Sequence, residues 1–284
     1  MSGTLDSALE TAIASAAQGG PPRLALALEH AVFPGGARVR PRLSLAVAHA
    51  CGNGAPALAL GAATAIELLH CASLVHDDLP CFDDAATRRG KPSVHRAFGQ
   101  PLAVLAGDAL IVMAFETLGR AAAEAPSRLP PMVVTLARAV GAADGLVAGQ
   151  AWESEPSVPL DAYHQAKTGS LFSAATQLGA MAAGSDPTPW RHMGELLGGA
   201  YQVADDLLDA VAADGGKPTR RDEALNRPNA VARLGIETAL DHLNRLVAQA
   251  VDSIPACPGR ESLAALVLQI AQRLVPEPLR KSAA

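Results

Sequence analysis

Apolar residues recur every three or four positions along most of the chain, a spacing typical of α-helices that bury one face. Prolines and glycines separate the apolar stretches from one another. The pattern predicts helices over residues 4–17, 23–32, 41–50, 58–78, 94–98, 102–123, 129–148, 161–183, 189–213, 229–252 and 260–273. No strand-like alternation runs for more than four residues, so we expect an all-α fold.

Composition favours the same fold in a single domain. Hydrophobic residues make up 49% of the chain and aromatic residues only 3%, with alanine and leucine dominant. Alanine and leucine lose little conformational freedom on entering a helix. No glycine- or serine-rich linker interrupts the sequence, so we expect one domain spanning residues 1–284.

Charge and hydropathy narrow the possible partners and location. The net charge of -5 argues against a nucleic-acid-binding protein, which is more often basic. No uncharged apolar stretch reaches the roughly 18 residues of a membrane span, so we expect no transmembrane segment. The first 18 residues are acidic and predict no signal peptide. The four cysteines lack Cys-x-x-Cys spacing, which indicates free thiols in a reducing cytoplasm.

Four aspartates, Asp77, Asp78, Asp83 and Asp84, follow the apolar run of residues 68–75. The first two would lie at the C-terminal end of a buried helix, where the helix dipole is also negative. A cation is therefore expected there, and Mg²⁺ prefers carboxylates and phosphates as ligands. The alternatives are a solvated acidic loop or aspartates that cap the next helix.

Two arginines, Arg88 and Arg89, come directly after these aspartates. Guanidinium groups bind phosphate oxygens in bidentate fashion. A metal ion and a phosphate group that meet between the acidic and basic residues would explain their proximity. The alternative is that the arginines only pair with Asp83 and Asp84 on the surface, for little energy.

A second acidic cluster, Gln202, Asp205, Asp206 and Asp209, lies within a predicted helix. Asp205 and Asp209 are four residues apart and share a face, which Gln202 joins. Like charges on one helix face cost stability unless a cation bridges them. Two such helices facing each other would clamp a diphosphate through Mg²⁺, and loss of the diphosphate would leave an allylic cation.

With both clusters in view, the chain resembles the trans-prenyl diphosphate synthases over nearly its whole length. It is most similar to the bacterial geranylgeranyl diphosphate synthases of carotenoid and photosynthetic pigment pathways. The matching motifs are Asp77-Asp78 with Asp83-Asp84, Arg88-Arg89-Gly90, Gly149-Gln150 with Glu153, Lys167-Thr168-Gly169, Gln202 to Asp209, and Gly216-Lys217-Pro218.

The resemblance implies a role for each matching residue. The principal Mg²⁺ ligands would be Asp77, Asp83 and Asp205, supported by Asp78, Asp84, Asp206 and Asp209. The allylic diphosphate would be held by Arg88, Lys167 and Lys217. Isopentenyl diphosphate would be held by Arg40, His70 and Arg89. The growing cation would lie beside Gln202 and Thr168.

The resemblance also implies the wider setting. The fold would be the isoprenoid synthase fold, a single large helical bundle around a central cavity. The reaction would be head-to-tail condensation of isopentenyl diphosphate with allylic diphosphates, with three Mg²⁺ ions per active site. The protein would be a cytoplasmic homodimer.

Product length should depend on the helix that leads to Asp77. In farnesyl synthases of this family a bulky aromatic residue closes the pocket at one of two positions, which are Ala72 and Ser73 here. Both are small, so we expect geranylgeranyl diphosphate as the main product, with farnesyl diphosphate as the alternative. Larger residues would set the depth: Leu69 and Ile66 further up the helix, and Met113 or Phe115 on another. The alternative is that Ala72 and Ser73 are small only because the helix must pack closely against its neighbours.

The chain departs from the family pattern at three places. The family's Gly-Gly-Lys-Arg-x-Arg-Pro has Ala37 in place of the lysine that contacts isopentenyl diphosphate, and we expect Arg38 or another group to supply the charge. A later lysine is replaced by Arg227, which keeps its charge. The acid after Gly-Gln is Glu153 rather than aspartate.

Other functions fit the residues less well. A terpene cyclase or head-to-head synthase would not be expected to combine Arg88-Arg89 with Lys-Thr-Gly. A non-catalytic subunit that modulates a partner should have lost aspartates, and both clusters are complete. A diiron bundle would need Glu-x-x-His motifs from facing helices, and the sequence has none.

Overall fold

The structure is a computed structural model of the chain, and it describes residues 2–33, 35–214, 231 and 235–275. We number the α-helices in chain order: α1 Ser2–Ala17, α2 Pro22–Val32, α3 Val39–Ala50, α4 Pro56–Asp77, α5 Val94–Phe98, α6 Gln100–Ala121, α7 Leu129–Val140, α8 Leu146–Ala151, α9 Leu160–His164, α10 Ser170–Ala183, α11 Trp190–Asp214, α12 Ile236–Asp252 and α13 Arg260–Leu274. Short 3₁₀ turns cover Ala122–Glu124, Pro126–Arg128 and Trp152–Ser154, and a π-helical turn covers Gln165–Gly169. The all-α prediction is confirmed.

Backbone contacts divide the chain into two compact units. The first comprises Met1–Ala137 and Leu178–Asp186, and the second comprises Arg138–Gln177 and Pro187–Ala284. The expectation of a single domain over residues 1–284 stays a prediction.

Helix α4 is the central helix of the first unit, and most of its residues are buried. It crosses α6 closely at two glycines. A Cβ on Gly61 would overlap Ala121 of α6, and a Cβ on Gly107 of α6 would overlap the imidazole of His76. The two helices therefore approach at these points only because glycine has no side chain, and their crossing fixes which face of α4 points away from α6.

The segment after α4 contains a small hairpin, with β1 Thr87–Arg88 antiparallel to β2 Lys91–Pro92. Arg89 (φ 53°) and Gly90 (φ 79°) form its two-residue turn in the left-handed region. Two-residue hairpins favour such turns because their twist matches that of the strands. The turn gives Arg88 and Arg89 a defined backbone instead of a free loop.

Helix α11 forms the core of the second unit together with α12. Fully or almost fully buried apolar residues line their contact: Ala200, Val203, Ala204 and Leu207 from α11, and Ala239, Leu243 and Val247 from α12. Close approach of α11 to the π-helical turn depends on Gly198, whose Cβ would lie 2.5 Å from Cα of Gly169. This contact holds the Lys-Thr-Gly segment against the helix that carries the second acidic cluster.

Three predicted helices differ from the structure. The helix expected over 229–252 gives α12, which begins at Ile236 after Gly235 (φ 80°). The helix expected over 129–148 ends at Val140, and α8 begins at Leu146. A Cβ on Gly145 would lie 2.7 Å from the carbonyl carbon of Val140, so the chain turns back on itself there. The helix expected over 161–183 is interrupted by the π-helical turn at Gln165–Gly169.

Two helical segments are long and apolar enough to cross a membrane by length and composition alone. They are Pro56–Asp77, with a mean hydropathy of 1.7, and Gln100–Glu124, with 1.8. The first has 83% of its apolar window buried inside the protein, as in the core helix of a soluble protein, and the second has 39%. The expectation of no transmembrane segment stays a prediction.

Candidate active site

The first acidic cluster lies where α4 ends and the chain folds back. Asp77 is the last residue of α4 and is buried, and the amide of Asp83 donates to its carbonyl oxygen over 2.9 Å. The amide of Ala85 likewise donates to the carbonyl of Asp78 over 3.1 Å. The returning loop satisfies carbonyl groups that a helix end leaves unpaired, and it thereby brings Asp83 beside Asp77.

The buried carboxylate of Asp78 holds Arg88 in a fork. Nη2 of Arg88 is 2.5 Å and Nε is 3.0 Å from Oδ1 of Asp78, and Nε is 3.2 Å from Oδ2. Burial alone would lower the pKa of Arg88, but the bonds to Asp78 and the nearby charges of Asp77 and Asp83 outweigh it and raise the pKa. Asp78 therefore orients Arg88, a contact different from the surface pairing considered above.

Asp84 contacts a different element from the other three aspartates. Its Oδ1 accepts a hydrogen bond from Nη2 of Arg96 over 2.9 Å and lies 3.5 Å from Nε2 of His95. Both partners belong to α5. The structure thus brings Asp77, Asp78 and Asp83 together at the end of α4, while the carboxylate of Asp84 ties the loop to α5.

Arginines from two segments, residues 38–40 and the hairpin, act on His70, which lies two helical turns before Asp77 on α4. Nη2 of Arg89 is 3.5 Å from Nε2 of His70. Burial, and then the positive charge of the arginines, lowers the pKa of His70 well below its ordinary value; the arginines are Arg40, Arg89, Arg38 and Arg88. The three residues predicted to hold isopentenyl diphosphate are therefore neighbours, and His70 is neutral near pH 7.

Arg38 makes contacts that its position in the sequence does not suggest. Its Nη1 donates to Oε1 of Glu67 over 2.6 Å, and its Nη2 donates to the carbonyl of Val32 over 2.8 Å. The guanidinium is buried. These bonds argue against Arg38 replacing the lysine that is absent at Ala37.

Sequence reasoning did not identify Glu67 as important. Only 1% of this residue is exposed, in the middle of the apolar helix α4. A lone carboxylate inside an apolar helix needs a buried cationic partner. Its position in the sequence could have indicated an ion pair, but the identity of that partner depends on the fold.

In the second unit, Lys167 and Thr168 lie on the π-helical turn. Nζ of Lys167 donates to Oε1 of Glu153, and the hydroxyl of Tyr163 donates to the same oxygen over 2.7 Å. Glu153, which stands where the family has an aspartate, therefore still contacts Lys167. Tyr163, which the sequence analysis did not single out, completes this group.

The second acidic cluster has one buried and two more accessible carboxylates. Thr168 donates to Oε1 of Gln202 over 2.9 Å, and Nε2 of Gln202 donates to the buried Oδ1 of Asp206 over 3.1 Å. Asp205 is exposed and Asp209 is half-buried on the adjacent face. Asp206 therefore orients Gln202, and the other two aspartates are the accessible ones. Lys217 and Arg227 lie outside the described residues.

The residues proposed to control product length lie on two faces of α4. Ala72 and Leu69 are four and seven residues before His76, so they lie on the face toward α6. Ser73 is four residues before Asp77 and lies on the stripe that carries it. This arrangement favours helix packing as the reason for a small residue at Ala72, whereas Ser73 keeps its predicted role.

The structure also shows the positions of the residues predicted to set the depth of the product pocket. Ile66 is fully buried on the stripe of α4 that carries His70 and Ser73. Met113 lines an apolar groove of about 320 Å³ between the α1–α2 turn and α6. Phe115 is half-buried. Their roles in product length stay predictions.

The chemistry of the acidic side chains fits Mg²⁺. Among the described residues, no three histidine, cysteine, aspartate or glutamate side chains form a ready-made metal cage. Mg²⁺ keeps several waters and usually binds through one or two carboxylates together with substrate phosphates. Two adjacent carboxylates beside arginines, as at Asp77, Asp83 and Arg88, match that mode.

Comparison with protein families decides the identity. The model of the polyprenyl synthetase family matches residues 21–260. The chain belongs to the polyprenyl synthetase family. This polyprenyl synthetase is 54% identical over 275 residues to a geranylgeranyl diphosphate synthase of Cereibacter sphaeroides, covering 94% of this chain and 96% of that one. It is 52% identical over 277 residues to a geranylgeranyl diphosphate synthase of Rhodobacter capsulatus, covering 96% of both.

Solved structures support the same conclusion for the fold. The crystal structure of a Helicobacter pylori geranyltransferase complexed with magnesium and isoprenyl diphosphate matches this polyprenyl synthetase with a TM-score of 0.76. The identity is 30%, and the match covers 89% of this chain and 89% of that one. The predicted isoprenoid synthase fold and the assignment as a prenyltransferase are confirmed.

Proposed function

We propose that this prenyltransferase condenses isopentenyl diphosphate head to tail with allylic diphosphates and that its main product is geranylgeranyl diphosphate. The end of α4 carries this proposal, because Asp77 and Asp83 lie there beside Arg88, Arg89 and His70. The identity to two geranylgeranyl diphosphate synthases, above one half, supports the product.

The allylic diphosphate is the leaving group. Asp77, Asp83 and Asp205 would hold Mg²⁺, which when bound supplies positive charge to that diphosphate. Arg88, oriented by Asp78, donates hydrogen bonds to its oxygens, and Lys167, oriented by Glu153, adds a second cation. We assign Lys217 to the same task from the family resemblance.

Isopentenyl diphosphate binds through Arg40, Arg89 and His70. A neutral imidazole can donate one hydrogen bond to a phosphate oxygen while the arginines carry the charge. The other predicted residues of the second unit, Thr168 and Gln202, form a hydrogen-bonded pair of dipoles. We propose that they lie beside the allylic cation and stabilise it without attacking it.

The reaction needs no side-chain nucleophile. The allylic C–O bond breaks, and its electron pair leaves with the diphosphate. The double bond of isopentenyl diphosphate then supplies the electron pair of the new C–C bond. Loss of one proton from the condensed cation, to an oxygen of the departing diphosphate, forms the new double bond and restores neutrality.

We also propose three Mg²⁺ ions per active site, a cytoplasmic location, a product used for carotenoid and photosynthetic pigments, and a homodimer. The number of aspartates in the two clusters supports several ions, and the free thiols agree with a reducing compartment. Apolar side chains on α6 support self-association: Val104, Leu105 and Val112 are 41%, 52% and 66% exposed.

The test is incubation of purified protein with isopentenyl diphosphate and dimethylallyl, geranyl or farnesyl diphosphate, with Mg²⁺ or with chelator. Chromatography of the dephosphorylated products should show the twenty-carbon alcohol with Mg²⁺ and none in chelator. A wild-type enzyme that stops at fifteen carbons would overturn the product assignment. Full turnover in chelator would overturn the mechanism.

A further inference from the structure

The loop that leads to Arg40 contains a residue in an unfavourable backbone conformation. Arg38 has a φ of 50°, in the left-handed region that residues with a Cβ rarely occupy. Such strain persists where surrounding contacts over-determine it, and it is concentrated at functional sites. The side chain of Arg38 must therefore make contacts that hold this backbone in place.

The contacts of Arg38 are extensive and mostly buried. Besides its bonds to Glu67 and the carbonyl of Val32, its Nε lies 3.6 Å from Oδ1 of Asp6. The guanidinium also lies over the ring of Phe33, 5.7 Å from the centroid. Arg38 is only 8% exposed, so these partners enclose the guanidinium within the protein.

The two glycines before Arg38 lie between two guanidinium groups. A Cβ on Gly35 would overlap the guanidinium of Arg38, and a Cβ on Gly36 would lie 2.9 Å from that of Arg89. Arg89 in turn contacts His70. The loop is therefore enclosed by Arg38 on one side and by a residue of the proposed isopentenyl diphosphate site on the other.

We propose that Arg38, held by Glu67, is a positioning residue for the isopentenyl diphosphate site. The ion pair keeps the loop of residues 35–38 and the start of α3 against α4, so that Arg40, Arg89 and His70 remain together. This inference rests on the proposed function of those three residues. In this proposal Arg38 does not contact the substrate. Its ion pair with Glu67 holds the loop in place although Ala37 provides no charge.

The experiment measures thermal stability and steady-state kinetics of Arg38→Met, Glu67→Gln and the double variant. Arg38→Met leaves the buried Glu67 without its cation, and Glu67→Gln leaves the buried Arg38 with only the more distant Asp6, so each should lower Tm. The double variant should recover much of that loss. All three should raise KM for isopentenyl diphosphate by roughly tenfold, the equivalent of one charge-assisted contact, with KM for the allylic substrate within about twofold.

The recovery of Tm without recovery of KM distinguishes positioning from a purely structural role. A double variant that regains both the Tm and the wild-type KM for isopentenyl diphosphate would overturn the proposal. If Arg38→Met does not fold, Arg38→Lys serves instead, because it keeps the charge but loses the fork of donors. Arg38→Lys should raise KM for isopentenyl diphosphate by a smaller factor than Arg38→Met. If both Arg38→Lys and Glu67→Gln keep the wild-type KM for isopentenyl diphosphate, the proposal is equally overturned.

Two controls separate this inference from the proposed function. The exposed pair of Arg120 and Glu116, with Nη2 2.6 Å from Oε1, lies in the same unit, and Arg120→Met should change neither Tm nor KM appreciably. Arg40→Met removes a proposed substrate contact. If it leaves KM for isopentenyl diphosphate unchanged, the site itself is wrongly assigned. If it raises KM while the Arg38 and Glu67 variants do not, only the positioning role fails.

Discussion

Around His70, several charged side chains act on one imidazole. Its pKa is lowered by burial first and by neighbouring arginines, Arg40 and Arg89 foremost. In the unfolded chain the ordinary pKa of about 6.5 applies, so below this pH the unfolded state binds more protons than the folded state. Folding stability contributed by this group is therefore fully present above pH ~6.5 and is lost progressively as the pH falls.

We predict that acidification from pH 7 to pH 5 lowers the Tm of the wild type, by an amount equivalent to at most about 1.4 kcal/mol per pH unit from this group. His70→Gln removes the titrating group and should flatten that part of the dependence. Calorimetry of both proteins at several pH values provides the measurement. An equally steep fall in the variant would contradict the assignment.

The absence of a lysine at position 37 gives a second prediction at this scale. Because Arg38 is bonded to Glu67, we do not expect it to replace the missing charge. Ala37→Lys should therefore lower KM for isopentenyl diphosphate by about tenfold, consistent with roughly 1.4 kcal/mol for a charge-assisted contact.

Ala37→Met, which adds similar length without charge, is the matched control and should leave KM nearly unchanged. Steady-state kinetics on the three proteins decides the question. A change of less than a few-fold in Ala37→Lys would mean that another group already supplies the charge.

At the scale of elements, α4 serves two purposes on two faces. One face packs against α6 through Gly61 and His76, and the other carries His70 and Asp77. Each helical turn covers about 5.4 Å, close to one isoprene unit, so a residue one turn before Asp77 is placed to limit the product. Ser73 lies at that position on the substrate face.

We predict that Ser73→Phe shifts the main product from twenty to fifteen carbons while Tm falls little. Ala72→Tyr should instead lower Tm by several degrees, because Ala72 is buried and overpacking a buried position typically costs about 1–3 kcal/mol. Chromatography of the products and a thermal melt of each variant are the measurements. The roles of the two residues would be reversed if Ala72→Tyr shortened the product without changing Tm while Ser73→Phe left the product unchanged.

For the whole molecule, the acidic clusters belong to different compact units of the chain. Asp77 and Asp83 belong to the first unit, and Asp205 and Asp209 belong to the second. Within each cluster, one buried carboxylate orients a neighbour: Asp78 orients Arg88, and Asp206 orients Gln202. A buried aspartate that orients a polar neighbour thus occurs in both clusters.

We predict that activity requires Mg²⁺ and that Asp77→Ala and Asp205→Ala each reduce kcat by at least about a hundredfold, since each removes a proposed metal ligand. Tm should not fall in either variant, because removal of one of several adjacent like charges relieves repulsion. Activity assays with and without chelator, together with melts, provide the test. Glu155→Ala, which removes an exposed carboxylate outside the clusters, is the control and should retain wild-type turnover.

The sequence by itself determined the helical fold and the family, and it supplied the candidate residues for the chemistry. Helical periodicity is a local property, and the aspartate and arginine motifs are contiguous, so both can be identified without knowing the fold. Proximity within α4 was predictable for the same reason: His70 and Asp77 are two turns apart on one helix.

Only the tertiary structure decided which neighbours of each charge are partners. Arg38 could not be assigned to Glu67 from the sequence, because the two residues are 29 positions apart and meet only through the packing of the loop on α4. The face of Ala72 likewise depends on where α6 crosses α4.

The π-helical turn at Gln165–Gly169 was missed because its close backbone contacts, with Gly149 and Gly198, come from distant parts of the chain. The break before Gly145 was missed although its close contacts, with residues 138–141, are local.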